Sequence, residues 1–482
     1  MRSLENLKER YNKIPKAAKA SIWYTICSMI QKGIALLVTP IFTRIMSTEE
    51  YGIYTVYQSW YAIIIIFATL NMFYSAYNNV LTKWGDEKDI STASMQGLST
   101  TITIILFAIY LVAHDQWNAL FKLPTLVMVV LMIQLLFEPA LNFWMVRQRY
   151  EYKYRSAVIV TLLISVIGTV VSVVLVLSSE QKGVYRVVAF ALTQALFGAV
   201  FYIYHFLKGK VFFSKKYWPF TLRFCIPLIP HYLSFTVLNQ ADRIMISNMI
   251  GQGEAAIYSV AYTISMMMQI VTQAVTNSLT PYTYQSLKGN RLSGIKKTVN
   301  ILLYSLLALC IMVMLLAPEV LVFFAPSEYH TAIYVMPPVV ASTFFLFLYP
   351  LFSNVEFYYE KTHFIMIASS ISALLNIALN WIFIPLYGFY AAGFTTVFCY
   401  IVMTGGHYFF YRYLIKKNNI DPAELYNNKA IGVCSIIIII VMILCMLLYQ
   451  YTFIRYCTIA ILIMSLICFR RVIIDNIRLI KK

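Results

Sequence analysis

Cations stand at successive depths of two long apolar segments, where a charge needs a reason to be. Lys32 lies near the middle of the first segment, residues 21–43, with Arg44 at its end; Arg223, His231 and Arg243 follow along the seventh. Ionisable groups at membrane depth cost several kcal/mol and normally face a cavity or a partner. A stripe of this sign suits an anion, since guanidinium forks pair with phosphate through two bonds and Lys supplies a point charge. Pro227 and Pro230 interrupt the seventh segment, each removing an amide donor. Such breaks expose backbone where a site or a bend is needed. Plainer readings stand beside these. Arg44, Arg223 and Arg243 also suit lipid headgroups, and His231 equally suits helix packing; Lys32 is too deep for easy snorkelling, which favours an aqueous cavity.

Acids are fewer. Asp242 stands beside Arg243, and Glu138, before Pro139, is the most deeply placed carboxylate of the chain. Each either forms an ion pair with a cationic group or binds and releases a proton or sodium during a cycle. Glu356 and Glu360 fall near a helix end and read as boundary residues. The amides of Gln134, Asn142, Asn239, Gln240, Gln269 and Gln273 suit sugar hydroxyls, although such residues also join membrane helices to one another. No GxxxxGK[ST] loop is present. The eight Cys lie mostly in apolar runs, without CxxC or Cys/His spacing, so neither disulfides nor structural zinc are expected. The reading contains no catalytic residue, metal or cofactor.

The elements that position these residues are membrane helices. The chain is 60% hydrophobic and 12% charged, against about 25% charged in soluble domains. Runs such as IIIIFATL from Ile63 and SIIIIIVMILCMLL from Ser435 belong to segments of the roughly 20 apolar residues that span about 30 Å of hydrocarbon. The expected fold is all-α and integral to the membrane, with about fourteen transmembrane helices. The net charge of +18 would suit nucleic acid in a soluble protein, but here the bases punctuate the ends of apolar runs. They cluster in alternate connections, RQRYEYKYR (147–155), KGKVFFSKK (208–216), KGNRLSGIKK (288–297) and the segment 411–429, and in both tails. The intervening connections, such as PEVLVFFAPSEYH (318–330), are nearly free of base, which places both termini in the cytoplasm. No short apolar core with a cleavage site follows the N-terminal charges, so the first helix is read as retained.

A six-helix unit occurs twice. TRIMSTEEYGIYTVYQ from Thr43 matches DRIMISNMIGQGEAAIYSVAYT from Asp242, pairing Arg44 with Arg243 at an offset of 199 residues. FEPALNFW from Phe137 and LYPLFSNV from Leu348 match again, aligning Pro139 with Pro350. An even-numbered unit gives two pseudo-symmetric bundles of the same orientation, which usually enclose a cleft between them. The expected organisation is 1–207, an N-terminal bundle with a basic tail; 208–217, a linker; 218–417, a second bundle; and 418–482, two additional helices with a basic tail.

On TPIFTRIMSTEEYGIYTVYQ (Thr39 to Gln58), the DRIMI segment and the six-plus-six-plus-two arrangement, the chain resembles the bacterial polysaccharide repeat-unit (O-antigen and capsule) flippases. Their superfamily includes the multidrug/toxin extrusion transporters and the peptidoglycan-precursor flippases. The family motif carries over at Thr43, Arg44, Ser47, Glu50, Tyr51 and Gly52. The resemblance implies movement of an undecaprenyl-diphosphate-linked oligosaccharide to the outer leaflet of the bacterial cytoplasmic membrane. Sugar and diphosphate would cross a cationic central cavity by alternating access while the polyprenyl tail stays in lipid. It implies coupling to H+ or Na+ or to the membrane potential, with membrane lipids and glycan polymerase machinery as partners and no nucleic acid. A peptidoglycan-precursor flippase or a multidrug/cation antiporter of the same fold is the nearest alternative. A membrane polymerase or transferase is disfavoured, because the longest outer segment, 318–330, holds no acidic site of the kind such enzymes need.

Overall fold

A computed structural model describes residues 15–289 and 292–468, and its regular structure is helical. The first six long helices are α1 (Lys16–Ile45), α2 (Thr48–Thr69), α3 (Lys88–Val112), α4 (Thr125–Tyr150), α5 (Tyr154–Leu177) and α6 (Lys182–Gly209). The next six begin with α7 (Tyr217–Met249) and the bent α8 (Gln252–Ser265 and Met268–Gly289). They continue with α9 (Leu292–Leu315), α10 (Met336–Tyr358), α11 (Thr362–Tyr387) and α12 (Tyr390–Lys417), before α13 (Asn428–Leu448) and α14 (Thr452–Cys468). The described residues thus hold the fourteen long helices expected. Eleven are long and apolar enough to cross a membrane, twelve with the bent α8. The other two are α12, diluted by Gly, Thr and Tyr, and the short α14.

The prolines act where the sequence places them. Helix α7 is interrupted by a 3-10 turn at Ile226–Leu228, which contains Pro227 and precedes Pro230. Pro139 and Pro350 lie inside α4 and α10.

The chain condenses into two compact units, Met1–Thr236 and Val237–Lys482, so the boundary falls within α7. In the first unit α6 packs along both α4 and α5. Close approach of α6 to α4 depends on Gly198, where a Cβ would lie 2.4 Å from the Phe137 carbonyl oxygen and 2.8 Å from the Glu138 nitrogen. At one end, Tyr77 and Phe143 form a core with Tyr217 and Cys225 from the start of α7. The second unit repeats the pattern, with α12 packed along α10 and α11. Its α10 is buried over most of its length, and Phe344, Phe347, Leu351 and Phe352 join Tyr400 and Tyr411 in the core. Helix α13 packs on α9 and α10.

The start of α2 shows what the Thr43–Gly52 motif does locally. Ser47 accepts the Glu50 amide at 3.2 Å while the Glu50 carboxylate accepts the Ser47 amide at 3.0 Å, a reciprocal cap. The same carboxylate accepts the Lys182 amide at 3.2 Å, tying α2 to the start of α6. One turn into α6, the buried Arg186 guanidinium lies 3.9 Å from the Phe42 ring centre, 4.4 Å from Tyr51 and 3.8 Å from Tyr54. Aromatic faces supply the negative potential that this cation needs inside the unit.

Candidate functional site

Two of the deep carboxylates, Asp242 in the second unit and Glu138 in the first, are built differently. In the second, the Asp242 side chain on α7 is buried and accepts three neutral donors. They are the Tyr258 hydroxyl on α8 (2.5 Å), the Asn380 amide on α11 (2.7 Å) and the Thr396 hydroxyl on α12 (2.7 Å). A second layer of oxygen ligands surrounds them. Thr395 donates to the Asn380 carbonyl, Asn380 donates to Asn376 at 3.3 Å, and Asn376 donates to Thr396 at 3.5 Å. Asn376 and Asn380 are one turn apart on α11, so both amides face the carboxylate. The Cys399 thiol lies beside Asn376, so hydroxyl, amide and thiol groups make up the shell, and the groups that touch the carboxylate do so as O–H and N–H donors.

Arg243, next in sequence, sends its side chain elsewhere. Its guanidinium lies 4.3 Å from the Tyr262 ring centre, and Nη1 donates to the Asn239 carbonyl (2.9 Å) and the Gln240 side chain (2.8 Å). Adjacent charges are thus given different partners.

In the first unit, Glu138 borders a polar cavity of about 250 Å³ lined by α1, α4, α5 and α6 and by the turn after α2. Tyr57 on α2 donates to the Gln134 carbonyl, and Gln134 Nε2 donates to one Glu138 oxygen at 2.5 Å. Glu138, Asn142, Met145 and Arg149 follow at the helical spacing of i, i+4, i+7 and i+11, one stripe of α4 facing the cavity. Arg149 lies 5.6 Å from the Tyr24 ring centre on α1. The structure therefore brings the predicted Glu138 together with Asn142.

The remaining cations are less buried. Lys32 is exposed on α1, and Arg44, also exposed, donates to its own helix at the Pro40 carbonyl (2.9 Å). Arg223 is exposed on the first stretch of α7, and His231 is half-buried with its ring beside Tyr232.

Glu356 is a correction. Placed at a helix end by its sequence position, it is fully buried in α10, where His407 of α12 stands 2.8 Å from its carboxylate. The sequence reading also missed Tyr258, Asn376, Asn380, Thr395 and Thr396. Only the two amides one turn apart in ISALLNIALNWIF carried a signal.

The family described as "Polysaccharide biosynthesis protein" matches residues 17–287, more than half of the chain. The chain belongs to that family. The family described as MatE matches residues 227–382. A protein of the Lsg locus of Haemophilus influenzae is 25% identical over 378 residues, 75% of this chain and 90% of that protein. A lipid II flippase MurJ structure in an inward closed conformation superposes with a TM-score of 0.67 at 16% identity, covering 94% of this chain and all of that one. An inward-facing multidrug resistance MATE transporter of the MOP superfamily superposes at 0.61 with 15% identity, covering 83% of this chain and 99% of its own. The chain is therefore a multi-pass membrane protein of the polysaccharide biosynthesis family, with the fold that these two transporter structures share.

Proposed function

We propose that the protein moves an undecaprenyl-diphosphate-linked oligosaccharide repeat unit from the cytoplasmic to the outer leaflet, with both termini in the cytoplasm. The observation that carries this reading is the polysaccharide-family match over residues 17–287. It is supported by superposition on a flippase along nearly the whole chain. Lys32, Arg44, Arg223, His231 and Arg243 are the candidate contacts for the diphosphate as it passes between leaflets by alternating access, since phosphate favours such donors.

Coupling is assigned to Asp242. A carboxylate this deep needs neutralisation, which a bound H+ or Na+ would supply beyond what its three neutral donors give. Loading and release of that ion would bias α7, α8, α11 and α12 between two arrangements, giving the ion differential affinity for the two states of a transport cycle. Glycan polymerase machinery outside the membrane is the natural recipient of the product.

The test is reconstitution of the full-length protein in liposomes with a fluorophore-labelled lipid-linked saccharide, scored by a membrane-impermeant quencher. Ion-dependent movement is expected, with a marked loss in Lys32→Gln and Arg44→Gln at equal protein levels. No movement of the lipid-linked saccharide, with transport of an organic cation in its place, would favour the multidrug-antiporter reading that the match over residues 227–382 keeps in play. Equal or preferred movement of lipid II would favour the peptidoglycan-precursor reading.

A further inference from the structure

We propose that the cavity of the first unit is a glycosyl-phosphate site, with phosphate held at Arg149 and the adjoining sugar ring against Asn142 and Glu138. The inference deepens the flippase reading and rests on it.

The cavity is elongated by construction. Glu138 and Arg149 are eleven residues apart on one stripe of α4, which at 1.5 Å per residue separates them by about 16 Å along the axis. Charge therefore differs from end to end, acceptor at the deep end and cation at the other. Arg149 belongs to the basic connection RQRYEYKYR, which the proposed orientation puts at the cytoplasmic headgroup level. A lipid-linked substrate carries its phosphates at that level, so a guanidinium facing a cavity there meets them without drawing the polyprenyl tail out of the lipid.

Beyond Arg149 the lining changes from charge to amides and hydroxyls. Gln31 of α1 and Gln194 of α6 join Asn142, and Thr161 and Ser165 of α5 lie one turn apart on another wall. Amides offer both donors and acceptors, and a carboxylate accepts from neighbouring hydroxyls. Tyr74 stands mostly exposed at the rim beside Phe73, offering aromatic surface to the apolar face of a sugar. The volume of about 250 Å³ has room for a sugar ring, and with the phosphate at Arg149 the ring that enters is the one adjoining it. The site would thus read the sugar nearest the lipid.

The deep end is rigid. Gly198 lets α6 seat directly on the α4 backbone at Phe137 and Glu138, and the Tyr57–Gln134–Glu138 chain fixes the carboxylate from behind. Preformed geometry of this kind lowers the entropic cost of binding.

The experiment titrates full-length protein in lipid nanodiscs with two probes: undecaprenyl diphosphate, and the same lipid carrying a hexose or an N-acetylhexosamine. The sugar-bearing probe should bind about tenfold more tightly. Glu138→Gln and Gln194→Ala should each remove that advantage while leaving the bare lipid unaffected. Arg149→Gln should weaken both probes by the same factor. Gln194 lies on α6 one turn from Gly198, so an unchanged melting temperature of each variant in the same nanodiscs separates lost recognition from lost folding. An advantage that survives in both variants, or equal binding of both probes to the unaltered protein, overturns the sugar assignment. Undiminished binding to Arg149→Gln overturns the phosphate assignment. Should the protein move lipid-linked saccharide while the variants keep their discrimination, the site fails and the flippase reading stands; should it neither bind nor move either probe, both fail.

Discussion

Asp242 and Glu138 are both acids deep in apolar helices, but one is closed and the other open. The buried Asp242 carboxylate accepts donors from three other helices. Glu138 has Gln134, Tyr61 and Asn142 about it and borders a cavity. The difference teaches that depth alone does not assign a role. A carboxylate ringed by donors from neighbouring helices suits exchange of something as small as a proton or sodium ion, whereas an open, amide-lined wall suits a ligand with many hydroxyls.

The largest effect that bears on this comparison is expected at Asp242. Asp242→Asn keeps the shape and removes the charge, and transport in vesicles should fall by about 100-fold, or ~2.7 kcal/mol, with its ion dependence gone. A variant that remains fully ion-dependent would exchange the roles of the two acids, and an ion response abolished by Glu138→Gln instead would do the same. Gly198→Ala should come next. Overpacking the α4–α6 contact costs about 1–3 kcal/mol, read as a lower melting temperature, and the Glu138 wall should lose its ligand before the Asp242 cage loses its ion.

Thr396→Val should act more gently, removing one hydroxyl donor from Asp242 at about 1 kcal/mol. The ion concentration for half-maximal transport should rise several-fold, with maximal rate little changed.

The smallest effect is expected at Glu151, outside the spans. There burial opposes the charge, but bonds from Lys153 and Arg147 outweigh it and hold the carboxyl below its ordinary range. A lowered folded value means that this carboxylate contributes stability above its unfolded value of about 4.3, which is lost as pH falls through the folded value. Glu151→Gln should therefore lower the melting temperature slightly at pH 7 and by a vanishing amount in strong acid.

The fold was largely legible before the structure. Apolar runs of membrane length, the prolines of α7 and the Pro139/Pro350 correspondence all point to elements the structure contains. The sites were legible only in part. Glu138 and Asp242 stood out because charge is scarce in such segments. Their partners did not, because a single Tyr or Thr in an apolar helix has no distinctive spacing, and Thr396 lies 154 residues from the aspartate it bonds. Glu356 misled for a related reason. A position two residues from the end of α10 looks interfacial until α12 packs His407 over it.

The turn between α1 and α2 has one more consequence. Ser47 and Glu50 spend their hydrogen-bonding capacity on backbone amides, and Tyr51 spends its ring on Arg186. From Ser47 to Tyr51, the stretch by which a chain of this type is most readily spotted is therefore a fastening of the scaffold, and Arg44 before it is the part proposed to meet the diphosphate. Two proteins may be spelled alike there and still carry different glycans, so kinship in that segment is no guide to which sugar a given chain accepts.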